Sequence, residues 1–131
     1  MNYYQGIDLL DIRRIEKIYD KFGDKLFRRI LSKNELNFLC KNYTESKLIG
    51  KLANGFAVKE AAAKAIGIGF RKNVRFVDFE LFYDSYNKPY LKIHKKIFNI
   101  LKVNSLEDIR CYVSISNEKK FVIALVTMIV L

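Results

Sequence analysis

The stretch SKLIGKLANGFAVKEAAAKAI, residues 46–66, decides what kind of chain this is. On a helical projection of about 100° per residue, Leu48, Ile49, Leu52, Phe56, Ala63 and Ile66 share one stripe. The spacing predicts a long helix from Ser46 to Ile66. Gly67-Ile68-Gly69 then ends it, because glycine takes the left-handed position after a helix without steric cost. Two charges disturb the stripe: Lys59 lies inside it and Glu60 at its edge. A charge near a buried face has to be paired, coordinated or neutralised, since desolvating it alone costs on the order of several kcal/mol. Lys64, one turn after Glu60, offers a surface ion pair worth about 0.3–0.5 kcal/mol. Spacing alone leaves a simple ion pair and a functional site both open.

Toward the N-terminus, Tyr3 to Ile7 reads as a short β run closing at Gly6-Ile7-Asp8. Leu9, Ile12, Ile15, Ile18 and Tyr19 then recur at helical spacing, which predicts a helix from Leu9 that Gly23 breaks. Leu26, Phe27, Ile30 and Leu31 mark a second short helix. Ser32-Lys33-Asn34-Glu35 is a capping-box pattern and predicts a third, running to about Cys40. Asp8 has two readings: the N-cap of the helix beginning near Leu9, or a carboxylate at a strand end, placed to bind a hard cation such as magnesium.

Toward the C-terminus the pattern changes. Val77, Phe79, Leu81 and Tyr83 alternate with Asp78, Glu80 and Phe82, as in a strand. Asn87-Lys88-Pro89 reads as a turn and His94 to Val103 as a further helix. Cys111–Ser116 and Phe121–Leu131 read as closing strands. Helices mainly in the first half, packed on an antiparallel sheet from the second, make an α+β fold. The 131 residues form one domain, 1–131.

Net charge is +10, from 24 Lys and Arg against 14 Asp and Glu, so the expected partner is anionic: nucleic acid, a phosphorylated small molecule or an acidic protein. Phe121 to Leu131 is too short to span a bilayer as a helix, and the first residues do not read as a signal peptide. No membrane role is expected, and two unpaired cysteines, Cys40 and Cys111, suit a reducing cytoplasm. His94, set among lysines, reads as a solvated surface residue. A basic nucleic-acid-binding domain, with Tyr83, Tyr86 and Tyr90 stacking on bases, is an alternative. The aromatics mostly follow core periodicities, however, and no nucleic-acid motif appears.

Taken together, the segments resemble a known family. Gly6-Ile7-Asp8-Leu9-Leu10-Asp11-Ile12-Arg13-Arg14-Ile15 looks like the N-terminal motif of the holo-acyl-carrier-protein synthases, a class of 4′-phosphopantetheinyl transferases. Phe56-Ala57-Val58-Lys59-Glu60-Ala61-Ala62-Ala63-Lys64-Ala65, followed by Gly67-Ile68-Gly69, resembles their second motif. Leu31–Leu36, Asn87–Tyr90 and Val113–Ser116 match smaller blocks in the same order. The resemblance implies the 4′-phosphopantetheinyl transferase fold and transfer of the phosphopantetheine arm of coenzyme A to a serine of apo-acyl carrier protein. It assigns Mg²⁺ to Asp8 and Glu60, and catalysis to Asp8, Glu60 and Lys64. It also implies coenzyme A contacts from Lys59, Lys64, Gly67 and Ser114, and a homotrimer with active sites between subunits. Arg13, Arg14, Lys17, Lys25, Arg28 and Arg29 become a docking face for the acidic carrier protein. The serine proton goes to Glu60 or to a water on the metal.

Three positions depart from the pattern. Gly55, Tyr112 and Ile68 stand where the family usually carries arginine, histidine and threonine. The first two are associated with the coenzyme A phosphates, so Lys51 or Lys59 is the expected substitute donor. A divergent homologue that binds coenzyme A without transferring its arm is the remaining alternative.

Overall fold

A computed structural model of the chain describes residues Met1–Leu131. In chain order its elements are β1 (Asn2–Asp11), α1 (Ile12–Phe22), α2 (Asp24–Ile30), α3 (Lys33–Asn42), α4 (Glu45–Ala65), β2 (Phe79–Tyr83), β3 (Pro89–Ile93), α5 (Lys95–Leu101), β4 (Ile109–Glu118) and β5 (Phe121–Val130). β1 and β5 pair antiparallel along their full lengths, from Asn2 opposite Val130 to Asp11 opposite Phe121. β4 pairs with the other edge of β5, giving a three-stranded sheet in the order β1-β5-β4. β2 and β3 form a separate hairpin whose turn places Asn87 in the left-handed region, at φ 63°. This is the expected α+β arrangement, with four of the five helices ahead of β2.

The sheet has two unlike faces, because neighbouring residues of a strand point to opposite sides. Gly6, Leu10, Val122, Ala124, Val126 and Met128 are buried on one side, where α4 crosses β1 and β5. Alanines at 57, 61, 62, 63 and 65 keep the buried side of α4 small, so helix and sheet meet closely. Contact is tightest at Gly6. A Cβ there would stand 1.9 Å from the Ala61 carbonyl oxygen and 2.7 Å from the Ala65 nitrogen.

Two expectations are overturned. The chain from Leu9 is still strand: β1 runs to Asp11, and the first helix begins at Ile12. Ten residues of pairing with β5 outweigh the helix-like spacing of Leu9 and Ile12, and Leu9 is 63% exposed on the outer face of the sheet. Asp11, not Asp8, caps α1, its carboxylate accepting from the Arg13 backbone N–H at 3.0 Å. The Arg13 guanidinium beside it holds the Asp11 carboxyl down at about 2. In addition, the half-buried alternation read over Val77–Tyr83 is absent. Phe76–Asp78 is a 3₁₀ turn, and both faces of β2 are covered, Phe82 meeting Phe38 of α3 edge-on at 5.6 Å.

The other helix boundaries follow the sequence closely. The capping box at Ser32 and Glu35 is closed in both directions, at 3.2 and 3.0 Å. Glu35 does more than cap. Its second oxygen accepts from the Leu81 N–H of β2 at 3.0 Å, and its first from the Lys59 ammonium. Lys59 also donates to the Ile30 carbonyl oxygen at 2.6 Å. The two fully buried charges thereby tie α2, α3, α4 and β2 together. Burial alone pushes the Glu35 carboxyl up and the Lys59 ammonium down, and their mutual attraction opposes both shifts. No helix is long and apolar enough to cross a membrane.

Candidate active site

The close approach at Gly6 sets the site. Two residues further along β1, on the same face of the strand, Asp8 points toward α4 and is mostly covered. Lys64 reaches across from α4, its ammonium donating to Asp8 Oδ1 and to the Ile7 carbonyl oxygen, both at 3.1 Å. Glu60 lies one turn before Lys64 and makes no ion pair; the expected Glu60–Lys64 bridge is replaced by Lys64–Asp8. Burial and the nearby Asp8 charge push the Glu60 carboxyl up, with Lys64 and Arg14 partly offsetting them. Asp8, Glu60 and Lys64 are thus brought together by one strand and one helix.

Two facing carboxylates, one mostly covered and one reluctant to ionise, are a donor set suited to a hard cation. Oxygen ligands alone favour magnesium over zinc, and with two protein ligands water and substrate phosphate would fill the remaining positions. No larger group of histidine, cysteine, aspartate and glutamate gathers anywhere in the chain. Asp8 and Glu60 are the two carboxylates beside Lys64 that could hold a divalent ion.

The structure also opens a cleft beside Glu60. It has a volume of 550 Å³, and Arg28, Arg29, Arg75, Phe70 and Phe76 line it. Arg14 approaches from α1, its guanidinium carbon 5.7 Å from the Phe56 ring centre. Phe56, Phe76 and Phe70 form a ladder with centroid separations of 5.2 and 4.2 Å. Arg75 and the phenylalanines at 70 and 76 escape sequence reading because they lie on the loop after α4, where no periodicity flags them. Only their convergence with α2 reveals them.

Other expected site residues fare unequally. Lys59 cannot contact coenzyme A: it is completely buried and holds Glu35, so its ammonium is not available to a ligand. Gly67 is exposed just beyond α4 at φ 87°, close in sequence to Lys64. Ser114 is exposed on β4 opposite Leu125, on the outer face of the sheet, so one copy of the chain does not bring it to Asp8. Lys51 sits 4.0 and 4.3 Å from the ring centres of Tyr83 and Tyr43. At about 100° per residue it falls on the side of α4 away from Glu60. Among the expected docking residues, Arg13 is engaged with Asp11, Lys17 is exposed on α1, and Lys25 and Arg29 rim a second, apolar cavity with Ile18, Phe22, Leu26 and Phe56. Arg28 turns into the Glu60 cleft instead.

Known proteins match this arrangement over nearly the whole chain. The model of the 4′-phosphopantetheinyl transferase superfamily matches residues 5–126. A holo-[acyl-carrier-protein] synthase of Buchnera aphidicola subsp. Baizongia pistaciae is 46% identical over 125 residues, 92% of either chain. The crystal structure of a holo-[acyl-carrier-protein] synthase from Neisseria meningitidis superposes with a TM-score of 0.80 at 30% identity, covering 95% of this chain and 96% of that one. The Helicobacter pylori synthase, solved in complex with coenzyme A, gives 0.73 at 34% identity over 93% and 96%.

Proposed function

The chain belongs to the 4′-phosphopantetheinyl transferase superfamily, and on that premise we propose that it moves the 4′-phosphopantetheine group of coenzyme A onto a serine of apo-acyl carrier protein, releasing 3′,5′-ADP and serving fatty acid biosynthesis. The observation that carries this reading is the Asp8–Glu60–Lys64 constellation beside a cleft of unpaired arginines.

Each group has a role its surroundings support. The Lys64 ammonium, more than half exposed and anchored from one side by Asp8, is free on its other side to meet a phosphate oxygen. Either Glu60 or a water on the metal would accept the serine proton. Asp8 and Glu60 would hold Mg²⁺, which supplies charge neutralisation at the pyrophosphate. The basic side chains of α1 and α2 favour an acidic carrier and would mainly speed encounter. A homotrimer agrees with the bare apolar outer face of the sheet, and the free thiols of Cys40 and Cys111 agree with a cytoplasmic setting.

The test is magnesium-dependent transfer of labelled phosphopantetheine from coenzyme A to an apo-acyl carrier protein. Wild type is expected to label it, and Asp8→Ala and Glu60→Ala to fall by at least about 10²-fold, the scale of losing a positioned acid-base or electrostatic group. Full activity in both variants would refute the assignment.

A further inference from the structure

We propose that the buried pair Glu35–Lys59 is a positioning device for the transfer reaction: it sets how α4 is turned about its axis, and so where Glu60 stands against the arginines of α2. The proposal rests on the reaction above. Both residues are fully buried, so they act through Glu60 and not on a substrate.

The hold on α4 is unequal around its axis. Ala61 and Ala65 lie against Gly6 of the sheet, and Ala57, Ala62 and Ala63 are buried with them. Methyl groups raise only shallow ridges, so they fix the depth of the contact better than the rotation of the helix. Apolar burial itself has no preferred direction. Lys59 is held differently. Its ammonium donates to two oxygens, the Ile30 carbonyl at 2.6 Å and Glu35 Oε1, and hydrogen bonds weaken steeply off their preferred angles. Ile30 closes α2, where the last carbonyls have no partner inside the helix. Glu35 is itself pinned by the backbone N–H groups of Ser32 and Leu81, each at 3.0 Å.

Glu60 follows Lys59 in sequence, about 100° further around the helix, and Arg28 and Arg29 stand just before Ile30. One ammonium therefore registers both walls of the cleft in which Glu60, Arg28 and Arg29 meet. A carboxylate at the outer radius of a helix, about 5–6 Å from its axis, moves by about 2 Å for a turn of roughly 20°. A misplacement of about 1 Å is enough to cost about 10²-fold in rate. Stability does not account for the pair, because desolvating two charges costs about as much as their attraction returns, and apolar side chains of similar volume serve as well. What such side chains do not supply is a fixed angle.

The experiment is steady-state transfer, with Tm measured alongside, in wild type, Lys59→Met, the double variant Glu35→Gln/Lys59→Met, and Leu101→Ala as a control. The double variant has no charge left at this place in the core, so its Tm is expected within about 5 °C of wild type. Its kcat should nevertheless fall at least about tenfold. The KM for coenzyme A should stay within about twofold, because the flexible Lys64 arm can keep its anchors on β1. Leu101→Ala opens a cavity under α5, which contributes nothing to the Glu60 cleft. It should lose about 10 °C in Tm and keep its kcat. Wild-type kcat in the double variant would overturn the proposal, reducing the pair to an ordinary part of the core. A loss of kcat in Leu101→Ala as deep as in the double variant would overturn it as well, tracing the effect to general softening. So would a raised KM for coenzyme A with kcat unchanged. If the double variant does not fold, Lys59→Met, in which Glu35 can take up a proton, carries the same reading. Absence of transfer by wild type would strike the underlying reaction and is distinguishable from each of these outcomes.

Discussion

At the scale of single residues, Glu60 carries the most physical information. Its folded carboxyl holds a proton more tightly than an unfolded glutamate, because burial and Asp8 disfavour the ionised form. The sign follows from linkage: below the ordinary glutamate range both states are protonated and there is no penalty. As pH rises through the raised value, the folded state must give up a proton it prefers to keep, and stability falls. Without metal, Glu60→Gln should therefore raise Tm at pH 7–8 by about 2 °C, corresponding to roughly 0.5 kcal/mol after solvent screening. The gain should fade near pH 4. A divalent cation answers the same charge, so Mg²⁺ should raise the Tm of wild type but not of Glu60→Gln. Thermal scans at both pH values, with and without Mg²⁺, measure this, and equal Mg²⁺ shifts in the two proteins would remove Glu60 from the metal site. The neighbouring Lys59 shows where residue-level reading stops. Its charge in an apolar stripe was a correct alarm, and Glu35 was legible as half of a capping box. No local pattern could say that the two meet across 24 positions of sequence, since that pairing is made by the packing of α3 on α4.

At the scale of elements, β1 and α4 make the site because they come closest at one glycine. Asp8 faces α4 because the strand lies almost backbone-to-backbone on the helix at Gly6, with no room for a methyl group. Gly6→Ala must push β1 away, since the atoms it meets belong to the helix backbone. A loss of about 3 kcal/mol is expected, at the upper end of overpacking costs, together with loss of transfer. Gly50 of α4 gives the opposite case: a Cβ there meets nothing within 4 Å, so Gly50→Ala should gain about 0.8–1 kcal/mol of helix propensity and leave transfer intact. Chemical denaturation of the two variants separates close approach from mere helix flexibility, and similar shifts would refute the distinction. The contrast also explains the error in β1. The α4-facing positions of β1 are Gly6, Asp8 and Leu10, and a side-chain-free residue and a carboxylate in that set leave no apolar alternation to read. The helical spacing from Leu9 therefore won until the pairing with β5 was visible. The long helix α4, with regular periodicity and a glycine stop, was legible to within a residue at each end.

At the scale of the whole molecule, one feature is unexplained by a single copy. The sheet face turned away from α4 carries Tyr3, Ile7, Leu9, Tyr112, Phe121 and Ile123, all 41–68% exposed. Contiguous exposed apolar surface of this kind marks an association site. A copy of the same chain is the occupant that fits the proposed trimer, and Ser114 gives a reason for it. That serine lies on this outer face, away from Asp8, so as a coenzyme A contact it can serve only a site on another copy. Association and catalysis should then fail together. Ile123→Lys places a charge on this face, on the central strand β5 opposite Leu9, while the α4 side of the sheet and the Asp8–Lys64 bond stay untouched. Wild type is expected to sediment at about 46 kDa, three copies of a 15.4 kDa chain, and Ile123→Lys as the monomer. The variant should keep its secondary structure and its Mg²⁺-dependent Tm shift. Transfer should nevertheless fall by about 10²-fold, because losing half of a positioned site costs on that scale. A fully active monomeric variant would show that each copy carries a complete site, and it would leave the apolar face without a catalytic purpose.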